Sequence, residues 1–307
     1  MEASNPSPTE QKRRTSKILS YVVIAIAFVW LVVTTWVYKV APLKGEFAGY
    51  LNSQLYNVLV LGAALAAAIL STLLTMQFKR NEPPFLVWLM FTIGWWTWAG
   101  GEASSIWLNH IWWYYAYPDI TITDIFFTVG YFFFMLALFF QFRLIYGRER
   151  KIGLLYYFII VALTLLATLG VTQLALKAGL GAGHSWLSLY QALFYPVGDL
   201  AIGLAALWLS LLFGRGTWGR PWWGLIGFAL ADAINIFVWI GGDTLLKKLF
   251  ANGDNIVTTI DLISTTVYTA SYLFVAIAFL ANYNLIKYGP VTRRKRSATV
   301  ISPTTPR

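Results

Sequence analysis

Residues 95–135 read W-W-T-W-A-G-G-E-A-S-S-I-W-L-N-H-I-W-W-Y-Y-A-Y-P-D-I-T-I-T-D-I-F-F-T-V-G-Y-F-F-F-M, and their pattern returns later in the chain. Here W-A-G-G-E (Trp98 to Glu102) closes one apolar stretch, and Asp124, Thr128 and Tyr131 open the next. Further on, W-I-G-G-D (Trp239 to Asp243) closes an apolar stretch, and Asp261, Thr265 and Tyr268 open its successor. Residues at i, i+4 and i+7 of a helix share one face, so each D-x3-T-x2-Y lays a polar stripe along an apolar cylinder. The shared patterns predict one unit used twice.

The rest of the chain sets that repeat in a membrane. Of 307 residues, 58% are hydrophobic and only 12% charged, and the mean hydropathy of +0.62 lies outside the range of soluble domains. A membrane-crossing helix needs about 20 apolar residues. Eight stretches qualify: Ile18 to Tyr38, Leu55 to Phe78, Phe85 to Trp112, Asp124 to Leu144, Ile152 to Leu176, Trp186 to Phe213, Trp222 to Leu246, and Ile256 to Leu285. With the N-terminus cytoplasmic, eighteen Lys and Arg fall in inner connections and tails and five in outer ones. Every inner connection is basic, as the positive-inside rule requires. The expectation is an all-α polytopic membrane protein of eight transmembrane helices, with both termini cytoplasmic, in the bacterial inner membrane. Four crossings return the chain to its starting side, so the 4+4 internal repeat is parallel. Its parts are a basic tail (1–17), a first four-helix repeat (18–146), a second (147–286) and a second basic tail (287–307).

The first apolar stretch follows Lys12, Arg13, Arg14 and Lys17 and has no small-residue cleavage pattern behind it, so it reads as an uncleaved span. R-R-K-R (Arg293 to Arg296) fits contact with anionic membrane lipid. The formal charge of +10 is spread over such juxtamembrane runs, which speaks against nucleic acid as a partner. Aromatic residues 112–117 fall at the outer boundary and Trp218, Trp222 and Trp223 at the inner one, where rings serve as anchors.

The chain has no cysteine and two histidines, His110 and His184, both near outer span ends. Thiolate chemistry is excluded, and neither haem nor metal is expected, so no cofactor is assigned. No Lys or Arg lies deep inside any span, which excludes a retinal Schiff base. The candidate chemistry is therefore acidic. At about 1.5 Å per residue, Glu102 is expected about 25 Å from the inner end of its helix, with Asp124, Asp243 and Asp261 near the same level. These four are expected to face one outer vestibule. Asp at a helix start also caps it, so Asp124 and Asp261 have capping as a competing role. Asp199 and Asp232 are expected at mid-membrane on adjacent helices, with Pro196 freeing a carbonyl beside the former. Asp232, Asn235, Trp239 and Asp243 fall on one helix face. With no cation supplied by the protein, such acids carry protons, share one, or meet a cation from outside. Protonated side chains bridging helices are the structural alternative.

W-x2-G-E-x4-W (Trp98, Gly101, Glu102, Trp107), followed by P-D-I-T-I-T-D-I-F-F-T-V-G-Y (Pro118 to Tyr131), resembles a known kind of region. It is similar to the multi-span membrane sensor region found ahead of diguanylate cyclase (GGDEF) or histidine kinase modules in bacterial signalling proteins. In that pattern Asp124 and Tyr131 match the acid and the later tyrosine, and Phe127 is the aromatic between them. The resemblance covers mainly the third and fourth stretches, more weakly residues 195–204 and the last two. It implies a cytoplasmic output domain after the last helix. The sequence stops at Arg307, so the implied protein is a free-standing sensor with a separate cytoplasmic signalling partner.

The leading functional expectation is a sensing or ligand-binding module. Its outer cavity takes a small-molecule or lipidic ligand, with Glu102, Asp124, Tyr131, Asp199, Asp232, Asn235, Asp243, Asp261 and Tyr268 as binding residues. The alternatives are a cation- or proton-coupled transporter working through Asp199 and Asp232, and an intramembrane lipid hydrolase using the same two as an acid/base pair. No histidine or other recognisable base accompanies that pair, so no catalytic residue is assigned.

Overall fold

The computed structural model describes residues 8–40, 46–112, 121–146, 158–159, 162, 186–213, 216–237, 249–250 and 252–288. Seven long helices stand out among them: α1 (Pro8–Thr35), α2 (Glu46–Thr75), α3 (Pro83–Trp112), α4 (Ile122–Tyr146), α5 (Trp186–Phe213), α6 (Arg220–Phe237) and α7 (Gly253–Tyr288). A π-helical turn, Trp36–Val40, continues α1, and a 3-10 turn, Thr217–Gly219, leads into α6. The described residues include no strand.

Four segments are long and apolar enough to cross a membrane: Ile18–Tyr38, Leu51–Thr75, Ile122–Ile145 and Gly253–Tyr288. Their surfaces agree, since Ile18, Ile26, Phe28 and Val29 of α1 point away from the protein, and apolar surface on this scale is what lipid covers. The described residues are therefore those of a helical, membrane-associated protein. Most of the expected fifth stretch, and the seventh beyond Phe237, lie outside the described residues. One boundary moves: α1 starts at Pro8, so residues expected as a basic tail form its first turns. Proline is favoured at the first helical position, and Glu10, Gln11, Lys12 and Arg13 are good helix formers.

Side-chain contacts give the helix directions. Thr75 meets Thr92 at 2.8 Å while Gln54 Nε2 donates to the Ile106 carbonyl at 3.3 Å, so α2 and α3 are antiparallel. Ser104 meets Thr123 at 2.8 Å and Trp98 Nε1 donates to the Phe127 carbonyl at 3.3 Å, so α3 and α4 are antiparallel. Tyr195 of α5 donates to Asp124 of α4, and Tyr131 of α4 donates to Asp199 of α5, so these two run parallel. Gly203 faces Ala229 between antiparallel α5 and α6, and Ser264 Oγ donates to the Ala231 carbonyl at 2.8 Å between antiparallel α6 and α7. The last helix packs on α2, which closes a ring, and α1 lies outside it against α7, where Thr35 meets Thr266 at 3.3 Å. The ring thus consists of two runs of three, α2–α3–α4 and α5–α6–α7. Within each run neighbours alternate in direction, and at both seams they run parallel.

The end holding Asp124 and Asp261 is termed outer, following the Lys and Arg distribution. The inner half of the ring is filled by rings from several helices. Phe91 stacks on Trp222 with centroids 4.8 Å apart, Trp95 meets Phe134 at 4.9 Å, and Phe279 packs edge-on to Phe91 at 5.5 Å. All five are fully buried. Trp222 is thus no interfacial anchor, contrary to the sequence expectation. It opens α6 facing into the ring, and the stacking surface it finds there holds more of its area than a headgroup layer would. Trp223, the next residue, is exposed. Close packing also explains the first Gly-Gly pair: a Cβ on Gly100 or Gly101 would come within 2.9 Å of Phe126 or 2.8 Å of Phe127. Small residues there let α3 and α4 approach.

Candidate functional site

Above the aromatic half, carboxyl groups meet phenols. Glu102 ends the stripe that Trp95 and Trp98 begin on α3, so the helix that buries those indoles carries its carboxyl into the ring; it is 7% exposed. Tyr268 and Tyr272, one turn apart on α7, both donate to Glu102 Oε1, at 2.6 and 2.8 Å. Phe228 of α6 lies edge-on to both phenols, at 5.1 and 4.6 Å. Tyrosine suits this place because its ring packs like Phe while its hydroxyl supplies the donor a buried carboxyl needs.

Asp199 of α5 is 4% exposed. The Tyr131 hydroxyl donates a hydrogen bond to its Oδ1. Its Oδ2 is buried and receives no hydrogen bond from any hydroxyl, amide or indole among the described residues. The other group at hydrogen-bonding distance from the Asp199 carboxyl is the carboxyl of Asp232 on α6. Asp232 in turn lies close enough to Glu102, Tyr268 and Tyr272 to act on them through space. Asp199, Asp232 and Glu102 therefore belong to one interior. Among the described residues, no Lys or Arg stands beside any of the three.

Two further acids lie toward the outer end. Asp124 is the third residue of α4, and its Oδ2 accepts from both the backbone N–H and the hydroxyl of Thr121, each at 2.8 Å. This is the reach-back half of a capping box, with Thr121 as the N-cap. Its Oδ1 accepts from Tyr195 at 2.7 Å, so one carboxyl both caps and bridges. Asp261 Oδ2 accepts from Tyr38 at 3.0 Å, a residue of the π-helical turn, whose extra residue per turn re-aims that side chain. Tyr38 packs on Tyr56 with centroids 4.9 Å apart, and Tyr56 reaches Thr269.

The structure thus redistributes the residues singled out in the sequence. Asp199, Asp232, Glu102, Tyr131 and Tyr268 come together, and Asp124 joins them through Tyr195, whose ring lies 6.0 Å from that of Tyr131. The capping role holds for Asp124, as the third residue of a capping box whose N-cap is Thr121, and fails for Asp261, which sits well inside α7. Of the four acids expected in one outer vestibule, Asp261 turns to Tyr38 of α1 and Glu102 to Tyr268 and Tyr272, and Tyr56, packed on Tyr38, lies close enough to feel both acids. Asn235 is exposed and takes no part in the described network. Trp239 and Asp243 lie outside the described residues. Sequence reading missed Tyr38, Tyr195, Tyr272 and Phe228. Tyr272 and Tyr195 had a findable signal, since each stands one helical turn from a chosen residue, Tyr268 and Asp199 respectively.

Among the described residues no group of three or more His, Cys, Asp or Glu is arranged to hold a metal ion. What the arrangement offers is carboxyl oxygens and phenol hydroxyls inside an aromatic shell, able to carry protons, hydrogen-bond a polar guest or balance a positive one. Comparison of the chain with protein-family models, curated proteins and solved structures finds no match.

Proposed function

We propose that the chain is a membrane-embedded ligand-binding module of sensing type, built as eight spans in a parallel 4+4 repeat in the bacterial inner membrane. Supporting the repeat are the two alternating three-helix runs and their parallel seams. The parallel run of α4 and α5 is what one further crossing between them produces. The ligand site in this reading is the interior bounded by Glu102, Asp199, Asp232, Tyr131, Tyr268 and Tyr272. The observation that carries it is the Asp199–Asp232 pair: two carboxyl groups in contact, one of them deeply buried, with no cation among the described residues beside them. Burying acids without a partner costs free energy, and an intramembrane acid of that kind is a functional site by default. Sensing, with a separate cytoplasmic chain as effector, rests on the resemblance of Trp98 to Tyr131 to bacterial sensor regions. A ligand that binds one arrangement of the two runs better than another would report its presence by shifting that balance.

The second reading is a proton- or cation-coupled transporter. It is favoured by two hydrogen-bonded pairs, Tyr195 with Asp124 near the outer end and Tyr131 with Asp199 further in, whose rings meet at 6.0 Å. Native mass spectrometry from mild detergent separates the two. A discrete bound mass in the wild type, lost in the Asp199→Asn/Asp232→Asn double variant, supports the binding module and weighs the ligand. A bare protein in both forms, with flux across vesicles driven by a pH or Na+ gradient and lost in Asp199→Asn, supports the transporter instead.

A further inference from the structure

The carboxyl pair and its approaches define a chemistry finer than ligand binding, one that rests on reading this interior as the site. Two carboxyl groups at hydrogen-bonding distance cannot both be ionised without strong repulsion, whereas one proton between them turns the contact into a hydrogen bond. Asp199 shows the need for it. One oxygen is held by Tyr131 and the other is buried without any conventional donor, so the Asp232 carboxyl is the remaining group that can supply a proton.

The surroundings differ on the two sides of the pair. Outward, Tyr131 passes to Tyr195, ring against ring at 6.0 Å, and Tyr195 donates to Asp124 at 2.7 Å in the first turn of α4. Each of these groups can both donate and accept, and because each phenol donates to its own carboxyl, a proton passing between them requires one hydroxyl to swing from its carboxyl toward the other ring. Inward, the described residues bring Trp95, Phe134, Phe91, Trp222 and Phe279 into mutual contact, fully buried, with Asn282 and the hydrogen-bonded Thr75 and Thr92 as buried polar groups of that half. Phenylalanine offers no proton acceptor, and the Trp95 and Trp222 indole nitrogens are donors only.

We propose that Asp199 and Asp232 bind a single shared proton, delivered from the outer face through Asp124, Tyr195 and Tyr131 and sealed from the inner face by the aromatic core. The site is thereby an outward-facing proton site, and any ligand or partner response it governs follows outer pH. Among the described residues, the titratable groups that face the pair are Tyr131 on α4, Tyr195 on α5, Glu102 on α3, and Tyr268 and Tyr272 on α7. All are acids or phenols, so none supplies a positive charge that would remove the need for the proton.

The test is infrared difference spectroscopy on the full chain in vesicles, sorted by which end faces the bath, with the bath stepped between alkaline and acid pH. The expected result is a protonated-carboxyl C=O band that tracks the bath only when the outer end faces it. The band is absent in Asp199→Asn/Asp232→Asn and loads about tenfold or more slowly in Tyr195→Phe. A wild-type spectrum without a band that the double variant removes overturns the shared proton. A band that tracks the bath equally in both orientations overturns the outer path. Melting temperature is recorded for each variant, and Asp232→Asn alone, which keeps shape and a hydrogen-bonding amide, replaces the double variant if that one does not fold. The bound mass of the wild-type protein is read separately, so loss of the band with a retained ligand mass defeats only the proton proposal. Loss of the mass with a retained band defeats only the ligand.

Discussion

The outer and inner halves of the ring are built from the same helices by opposite means. In the outer half, each of Glu102, Asp124, Asp199 and Asp261 accepts a hydrogen bond from a tyrosine of another helix. In the inner half, Phe91, Trp95, Phe134, Trp222 and Phe279 hold the ring together mainly by area and shape, with the hydrogen bond between Thr75 and Thr92 beside them. In lipid the hydrophobic effect does not drive helix against helix, so van der Waals packing must supply association, and large interlocking rings supply much of it. Interhelical hydrogen bonds contribute less, about 0.6 kcal/mol on average in a membrane. A half rich in them is therefore a poor way to add stability and a good way to keep polar groups at depth.

The sharpest way to break that contrast is to cut the inner half. Phe91→Ala or Trp222→Ala is expected to cost about 3–5 kcal/mol, since each empties a fully buried ring position, and denaturation of the protein in micelles measures it. Next comes Glu102→Leu, which strands the Tyr268 and Tyr272 hydroxyls and is expected to cost about 1–3 kcal/mol, with Glu102→Gln well below it because an acceptor remains. A loss in Glu102→Leu equal to that of Phe91→Ala would erase the distinction between the halves. Tyr195→Phe removes one bridge and leaves its ring in place, for an expected loss of about 0.5–1 kcal/mol in the same denaturation series. The smallest effect has the opposite sign. Asn282 lies fully buried near the inner end of α7, and neither its amide nitrogen nor its carbonyl oxygen has a hydrogen-bond partner among the described residues. Asn282→Leu is expected to raise stability by about 1 kcal/mol, and a fall in melting temperature would show a polar function hidden in the aromatic half.

Helix positions and the level of the acids were legible because they rest on local periodicity and chain length. Counting about 1.5 Å per residue from each helix end put Asp199 and Asp232 about one helical turn apart in level, on neighbouring helices. What counting cannot give is rotation about the helix axis and choice of neighbour. Asp261 shares its D-x3-T-x2-Y pattern with Asp124, yet it faces Tyr38 on α1 while Asp124 faces Tyr195 on α5, because different helices stand beside α7 and α4. Trp222 and Trp223 are identical in composition and adjacent in sequence, and only the closed ring decides that one is core and the other surface. Tyr38 was invisible as a partner of Asp261 because a π-helical turn sets its direction, and no residue in W-V-Y-K-V announces one.

The central claim is that Asp199 and Asp232 act as one unit, and a double-mutant cycle between Asp199→Asn and Asp232→Asn, read by denaturation in micelles, tests it most directly. A shared proton makes the two losses strongly non-additive, with a coupling of about 1–3 kcal/mol, since removing either acid abolishes the same interaction. Losses that add to within about 0.5 kcal/mol would mean two independent side chains that happen to be near each other, and would contradict the claim.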